Sequence, residues 1–498
     1  MGRRLLLLPA LLLLATCSSE PDGPPPNVLW IVWDTVRADR MSLYGHDRAT
    51  TPRLDAWAEG ARVFENCVST ASSTVPSHAS MFTGLLPTEH GMSNRHLWLE
   101  DEHRTVAEVF GAAGYRTFLW AQNPHVSKEE NFQQGFDVER HPWDPDLQAR
   151  TIGILRKKLA PSPGSELAER LASGRPDTWT VKAAGELAET VLTEWLGTRG
   201  PDDAPYFAFL NYMEAHRPLI PPRKYRELFL DADDVERSFD LDFAWVPMWA
   251  YTFGLREYEP GELDLLAAVY DASLAELDDL LGDLLDTLEA SGHLDNTIVV
   301  LTADHGELLG EHHMLDHQYN LYSPVLRVPL VVHWPGHVEP GRDARPVMNF
   351  DLFPTLLSLA NLEAPDGGRH AQSLLDPSDE RARLSEYPSA FETPIQSVAQ
   401  TRPGWNPSPW RQELRALHMG PHKLILWEDG RRELYDVDGD PLETADLAAD
   451  DAERADGLEA RLKALAEGLR LRVRTSGELP EMSGEAKSAL DDLGYTGR

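Results

Sequence analysis

A hydroxyl run opens onto a proline at Ser72-Ser73-Thr74-Val75-Pro76-Ser77-His78, with small and apolar residues following as far as Gly84. This reads as a loop feeding a helix whose first turn holds Pro76, with Thr74 just ahead of the helix N-terminus. Backbone N–H groups and the positive end of the helix dipole favour anions there and lower the cost of turning a hydroxyl into an alkoxide. Thr74 is therefore a candidate nucleophile, although Ser and Thr at such a place more often simply cap their helix. Asp34 and the pair Asp304-His305 stand far from it in the sequence, each delivered by an apolar run. Two carboxylates, an imidazole and an alkoxide make a site for one divalent cation that binds nucleophile and substrate together. In the plainer alternative Asp304-His305 is a turn and Asp34 a helix cap.

The elements that must position these residues follow from hydrophobic patterning. Val28-Leu29-Trp30-Ile31-Val32-Trp33, bounded by Pro26-Asn27 and Asp34, suits a strand buried on both faces. Asp34 then falls at its carboxyl end, where open parallel α/β sheets bind ligands. Tyr206-Phe207-Ala208-Phe209-Leu210 is a second such strand and runs into a loop carrying His216. Thr297-Ile298-Val299-Val300-Leu301 is a third and delivers Asp304-His305; a strand over 115–120 is followed by Asn123, and another is expected over 328–332. Leu274, Leu277, Leu281, Leu284 and Leu288 form a helical stripe that Gly292 stops. This alternation specifies an α/β fold with a largely parallel sheet between helix layers. The aromatic-rich residues 239–258 read as an insertion near a pocket mouth.

Beyond about residue 375 the pattern changes. Short strands over 414–419, 423–427 and 431–435, with turns at Gly420-Pro421 and Asp429-Gly430, precede a helical stripe of Leu458, Leu462, Leu465 and Leu469. A small antiparallel sheet-plus-helix subdomain is the simplest reading. The expected division is a signal over 1–17, a Pro-rich tether over 18–26, a catalytic domain over 27–375, and a C-terminal subdomain and tail over 376–498. Residues 141–200 show no chemical pattern beyond a basic patch at Arg156-Lys157-Lys158 and a Pro/Gly/Ser break at 161–165.

A chain of 498 residues with 46 basic and 81 acidic side chains, net −35, is poorly suited to nucleic acid or to anionic headgroups. Cys17 and Cys67 are its only cysteines, so no disulfide framework holds it. Cys67, among apolar residues, reads as a core thiol. Cys17 closes an apolar run over 5–14 that begins with Arg3-Arg4 and ends in Ala15-Thr16, too short to span a bilayer comfortably. It resembles a bacterial lipoprotein signal, which implies an exported protein of the cell envelope, or a secreted one if Cys17 is not acylated. The only membrane contact expected is that lipid anchor.

Asp34-Thr35-Val36-Arg37-Ala38-Asp39, the run 74–84, Asp304-His305-Gly306-Glu307, Gly310-Glu311-His312, Arg327-Val328-Pro329-Leu330 and Trp334-Pro335-Gly336 occur in an order that resembles the sulfatases of the alkaline phosphatase superfamily. Glu433-Leu434-Tyr435-Asp436 with Asp440-Pro441 is similar to that family's C-terminal subdomain. The resemblance covers about residues 27–469. It implies a sheet sandwiched by helices and a metal-assisted displacement at sulfate or phosphate esters, the substrate being a small molecule or a glycan or lipid ester.

The departures from that pattern are informative. Sulfatases place a cysteine or serine where Thr74 stands and convert it to formylglycine. Threonine cannot become an aldehyde, so no formylglycine is expected, and a covalent Thr74 intermediate would be cleared by water attacking the central atom. That path suits phosphorus better than sulfur, which favours phosphodiesters and phosphonates. His78 stands where the family has an arginine, and Trp120-Ala121-Gln122-Asn123 stands in place of the Lys-x-His segment; Asn123 resembles the oxygen-binding asparagine of phosphodiesterases and phosphonate monoester hydrolases. The resemblance thus implies substrate binding by His78 and Asn123. It gives His216 and His317 the tasks of stabilising charge and protonating the leaving group. Asp34, Thr74, Asp304 and His305 are the expected metal ligands. Thr35 replaces a second aspartate and His305 an amide, which favours manganese or zinc over calcium; calcium or magnesium fits only if water fills the sphere. Two alternatives are a phosphoethanolamine- or phosphoglycerol-type transferase, which usually carries several transmembrane helices, and an inactive binding protein on the same scaffold.

Overall fold

The computed structural model describes residues 23–159, 184–200, 203–241, 245–365, 370–376 and 378–472. The expected signal, most of the tether, the break at 161–165 and the tail beyond 472 lie outside them.

The strand Asn27–Trp33 is buried at every position after its first, and an apolar run of this kind can only sit where both faces are covered. It occupies the interior of an eight-stranded sheet. In order across that sheet lie Gly341–Asp343, Arg62–Phe64, Leu330–His333, Thr297–Thr302, Asn27–Trp33, Tyr206–Tyr212, Arg116–Ala121 and Val138–Arg140. Five pairings are parallel. The exceptions are those of Leu330–His333, which runs antiparallel to both its neighbours. This strand starts later than the expected 328–332 because Pro329 has no N–H to give a ladder, and the Val328 N–H bonds to Cys67 O instead.

Parallel pairing of the three central strands puts their carboxyl ends on one edge. Asp34 follows the first, the His216 loop the second and Asp304-His305 the third, and the Asp34 N–H donates to Tyr212 O at 2.8 Å. The helix Glu262–Ala290 packs its leucine stripe inward and ends where expected, with Gly292 at φ +72°. Residues 239–258 are less of a loop than their composition implied: they carry the end of the helix Ala232–Phe239 and the helix Trp245–Thr252. Cys67 is buried and free. Among the described residues no helix is long and apolar enough to cross a membrane.

The second sheet holds the expected strands Leu414–Met419, His422–Trp427 and Arg432–Asp436, joined by Arg383–Tyr387. That fourth strand is polar in sequence yet buried throughout, because neighbours satisfy it: Arg383 donates to Asn66, the Ser385 hydroxyl to Ser69 O at 2.6 Å, and Glu386 accepts from Thr88 and Arg415. Leu458 and Leu462 of the helix Ala452–Gly468 close one face over Leu417, Leu424 and Leu434. At the seam between the sheets, fully buried Lys423 and Glu443 pair at 2.7 Å, and Glu443 also accepts from the N–H and hydroxyl of Ser323. Removing one member of such a pair strands the other charge. Lys423→Ala is expected to lower stability by about 3–5 kcal/mol, measured by urea unfolding. A loss below about 1 kcal/mol would show the pair to be ordinary surface electrostatics.

Candidate functional site

Thr74 is the first residue of the helix Thr74–Thr83 rather than the residue ahead of it, and Ser73 takes the cap position without a side-chain cap bond. Capping therefore does not explain the hydroxyl run. The Thr74 hydroxyl donates to His305 Nε2 at 3.3 Å. His305 Nδ1–H donates to Gly306 O at 2.9 Å, which leaves the lone pair on Nε2. Burial, reinforced by the neighbouring His317, pulls the His305 pKa down to about 3, so the ring is neutral. The turn demands glycine at 306: a Cβ there would lie 2.2 Å from Pro324 O.

Both carboxylates are split in function. Asp34 Oδ2 accepts from Asn123 Nδ2 at 2.7 Å and Asn211 Nδ2 at 3.4 Å, while its Oδ1 is buried without a partner. Asp304 Oδ1 accepts from the Thr35 N–H at 3.1 Å and the His305 N–H at 2.8 Å, while its Oδ2 is buried without a partner. One ligand atom from each of Asp34, Asp304 and His305 lies within 4.8 Å of the others. Burial pushes the Asp304 pKa up to about 7, and burial together with the charge of Asp304 pushes Asp34 up to about 6. Unpartnered carboxylate oxygens in a dry interior are costly, and a divalent cation between them and the imidazole lone pair removes that cost. The donor set thus fits a single cation, and it is the only such group among the described residues.

A buried polar knot holds this group to the start of the Thr74 helix. Ser69 and Ser77 hydroxyls donate to Asp304 O at 2.5 and 2.8 Å, and Asn349 Nδ2 reaches Ser77 Oγ and Asp304 O, each at 3.2 Å. Thr35 adopts φ +60°, and its hydroxyl turns back to donate to Asp34 O. Tyr270, from the long helix, fixes that turn by donating to Thr35 O and accepting from the Arg37 N–H.

A cleft of about 160 Å³ opens over Thr74, with His317 and His125 in its wall. His317 Nδ1 lies 2.7 Å from Asp316 Oδ1, and its ring centre is 4.4 Å from that of His305 and 5.8 Å from that of His216. Burial works against a charge on His317, but the Asp316 carboxylate outweighs it and raises the pKa. His216 donates from Nδ1 to Arg217 O and stands near Trp245. The backbone that presents His317 is unusual: His312, His313, Asp316 and Tyr319 all take positive φ, between 54° and 77°. Partners hold it there. His312 stacks on Tyr322 at 3.6 Å, the Tyr322 hydroxyl donates to Glu433, and the Tyr319 hydroxyl donates to Phe391 O.

Two of the expected substrate contacts have partners within the protein. Asn123 donates from Nδ2 to Asp34 and accepts the His125 N–H through Oδ1, so its amide orients a carboxylate. His78 is fully enclosed, donating from Nδ1 to Thr74 O and packed among Phe82, Phe132 and Phe209, which places it behind the nucleophile. The residue missed is His125, whose Nδ1 lies 2.8 Å from Glu130 Oε1. Asn123-Pro124-His125 retains the histidine of a Lys-x-His spacing, and that two-residue offset was the available signal. Asn123→Ala is expected to weaken metal binding by about 10–100-fold with little change in fold, by titration of the metal-free protein. Unchanged affinity would remove Asn123 from the site.

The sulfatase family model matches residues 26–362, and that of the N-sulphoglucosamine sulphohydrolase C-terminal region matches 310–470. The chain is 27% identical over 453 residues to the ulvan-active sulfatase of Formosa agariphila, a match covering 87% of this chain and 79% of that protein. It is 25% identical to the multifunctional alkaline phosphatase superfamily protein PehA of Trinickia caryophylli, over 86% of this chain and 92% of that one. The crystal structure of the phosphonate monoester hydrolase of Agrobacterium radiobacter has the same fold, with a TM-score of 0.67 at 22% identity over 89% of this chain and 95% of that one.

Proposed function

Because the chain belongs to the sulfatase family and is thus an ester hydrolase, we propose that it opens phosphodiesters and phosphonate monoesters through a covalent intermediate on Thr74. The observation that carries this reading is the Thr74 hydroxyl itself, at the start of a helix and 3.3 Å from an imidazole lone pair, where the family's sulfate chemistry uses an aldehyde hydrate. Asp34, Asp304 and His305 would hold a divalent cation, which would supply Lewis acidity for the reacting oxygens.

The chain's own groups do the rest. Thr74 Oγ1 loses its proton to solvent and attacks phosphorus in line as the bond to the leaving oxygen breaks. His317, kept protonated by Asp316, gives its proton to that oxygen. His125, whose Nδ1 meets Glu130, and His216, whose Nδ1 donates to Arg217 O, stand near the cleft, and in their imidazolium forms they donate from Nε2 to the charged non-bridging oxygens. In the second half His317, now neutral, takes a proton from the water that attacks phosphorus, and the Thr74–phosphorus bond breaks as Thr74 Oγ1 takes a proton back from solvent.

The test is one panel on the metal-loaded protein: an aryl phosphodiester, an aryl phosphonate monoester, an aryl phosphate monoester and an aryl sulfate. The diester and phosphonate are expected to show the highest kcat/KM. A clear preference for the sulfate would overturn the reading.

A further inference from the structure

Gln318, the residue after His317, lines the Thr74 cleft and is 3% exposed. Two donors hold its amide from one end: the Tyr387 hydroxyl at 3.1 Å and Asn94 Nδ2 at 3.2 Å both give a hydrogen to Oε1. Their own neighbours fix which end this is. Asn94 Nδ2 also donates to Ser389 O at 2.9 Å, and a backbone carbonyl only accepts, so the Asn94 atom facing Gln318 is its NH2. The Phe391 N–H donates to the Tyr387 oxygen at 3.1 Å, which leaves the Tyr387 hydrogen for Gln318. Oε1 is therefore the end spent on the protein. Nε2 keeps two N–H groups with no partner among the described residues.

An enclosed donor left unpaired is costly until a ligand meets it. The non-bridging oxygens of a phosphoryl group are charged acceptors, and they are what a donor beside Thr74 would meet. Among the described residues lining the cleft there is no lysine or arginine, and both hydrogens of Asn94 Nδ2 are engaged. His125 and His317 donate from a second ring nitrogen only when protonated, whereas an amide donates at every pH. Gln318 is also fixed along the chain: Asp316 and Tyr319 near it take φ +77° and +64°, and Asn320 Nδ2 donates to Gln318 O at 3.0 Å.

Resting on the proposed ester chemistry, we propose that Gln318 is a substrate-binding residue whose Nε2 donates to a non-bridging oxygen of the phosphoryl group. Asn94 and Tyr387 are the positioning residues that turn the amide this way.

The test uses binding and needs no turnover. The metal-loaded protein is titrated by calorimetry with inorganic phosphate and with phenylphosphonate, whose only acceptors are phosphoryl oxygens. Gln318→Glu keeps an oxygen for Tyr387 and Asn94 and replaces the donor with a charged acceptor, so a merely structural role would survive it. It is expected to weaken both probes by about 100-fold or more. Gln318→Met removes the donor without adding charge and should weaken both by about 10-fold or more, with thermal melts confirming that each variant is folded. Wild-type affinity in either folded variant, a loss confined to phenylphosphonate, or no binding of either probe by the wild type would overturn the assignment. A preference for the aryl sulfate in the ester panel, with these binding losses intact, would instead count against the phosphorus chemistry proposed above and leave Gln318 in its role.

Discussion

Thr74→Ala is expected to abolish hydrolysis, with kcat falling by about 10⁴-fold or more on every ester the protein turns over. Alanine removes the attacking oxygen while leaving the helix start and its backbone donors in place, so the fold should not change. Thr74→Ser keeps an oxygen at the same distance from His305 and should retain measurable turnover. Rapid quenching of the wild-type reaction should trap phosphate on Thr74, and the tryptic peptide carrying that residue identifies it by mass. Wild-type rates in Thr74→Ala would dispose of the nucleophile, and of the mechanism with it.

The second large effect concerns the two carboxylates. Asp34 and Asp304 have folded pKa values raised to about 6 and about 7, burial being the main cause of each, against an ordinary aspartate value near ~3.9. In the metal-free protein these two carboxylates bind more protons in the folded chain than in the unfolded one between about pH 4 and 7, so their contribution to stability is greatest below that window and is lost as pH rises through it. His305, His78 and His90, pulled down to about 3 by burial, contribute in the opposite sense below pH 6.5. Stripped of metal by a chelator, the wild type should lose on the order of a few kcal/mol between pH 5 and 8 relative to an Asp304→Asn protein, which carries the same histidines. Restoring manganese or zinc should reverse this loss. Asp304→Asn keeps the acceptor for the Thr35 and His305 N–H groups and removes the charge. It should therefore be inactive and metal-free, yet more stable at pH 8 than the stripped wild type. Thermal melts across that range decide the matter: a wild-type profile that runs parallel to that of Asp304→Asn, or an Asp304→Asn protein that melts lower at pH 8, would mean the carboxylates do not share a cation site.

Much of this site was legible because it rests on continuous apolar strands. Runs such as 28–33 and 297–301 announce both a strand and the place where it ends, so Asp34 and Asp304-His305 could be set on one edge before any contact was known. What stayed hidden works across the chain. Ser69, Ser77 and Asn349 are ordinary polar residues until folding gathers them around one carbonyl, with Asn349 and Ser69 separated by 280 positions. The strand Arg383–Tyr387 was invisible for the same reason, since its polar side chains are satisfied by Asn66, Ser69 and Thr88 far upstream. The family resemblance implies substrate contacts for Asn123 and His78, but residue type reveals capacity for hydrogen bonding and not that the amide also holds Asp34 or that the ring also donates to Thr74 O.

Through the role proposed for His317, the smaller sheet would act on chemistry at a distance. The segment that presents His317 is held in an uncomfortable shape by Tyr322, Glu433 and Phe391, and such a segment relaxes once its holders let go. Loosening the seam would silence the enzyme while Trp30, Trp33 and Trp120 still reported an intact interior. Inactivation by heat would then run ahead of melting, and an effort to harden this enzyme would gain more from the join between its two layers than from its already dense centre.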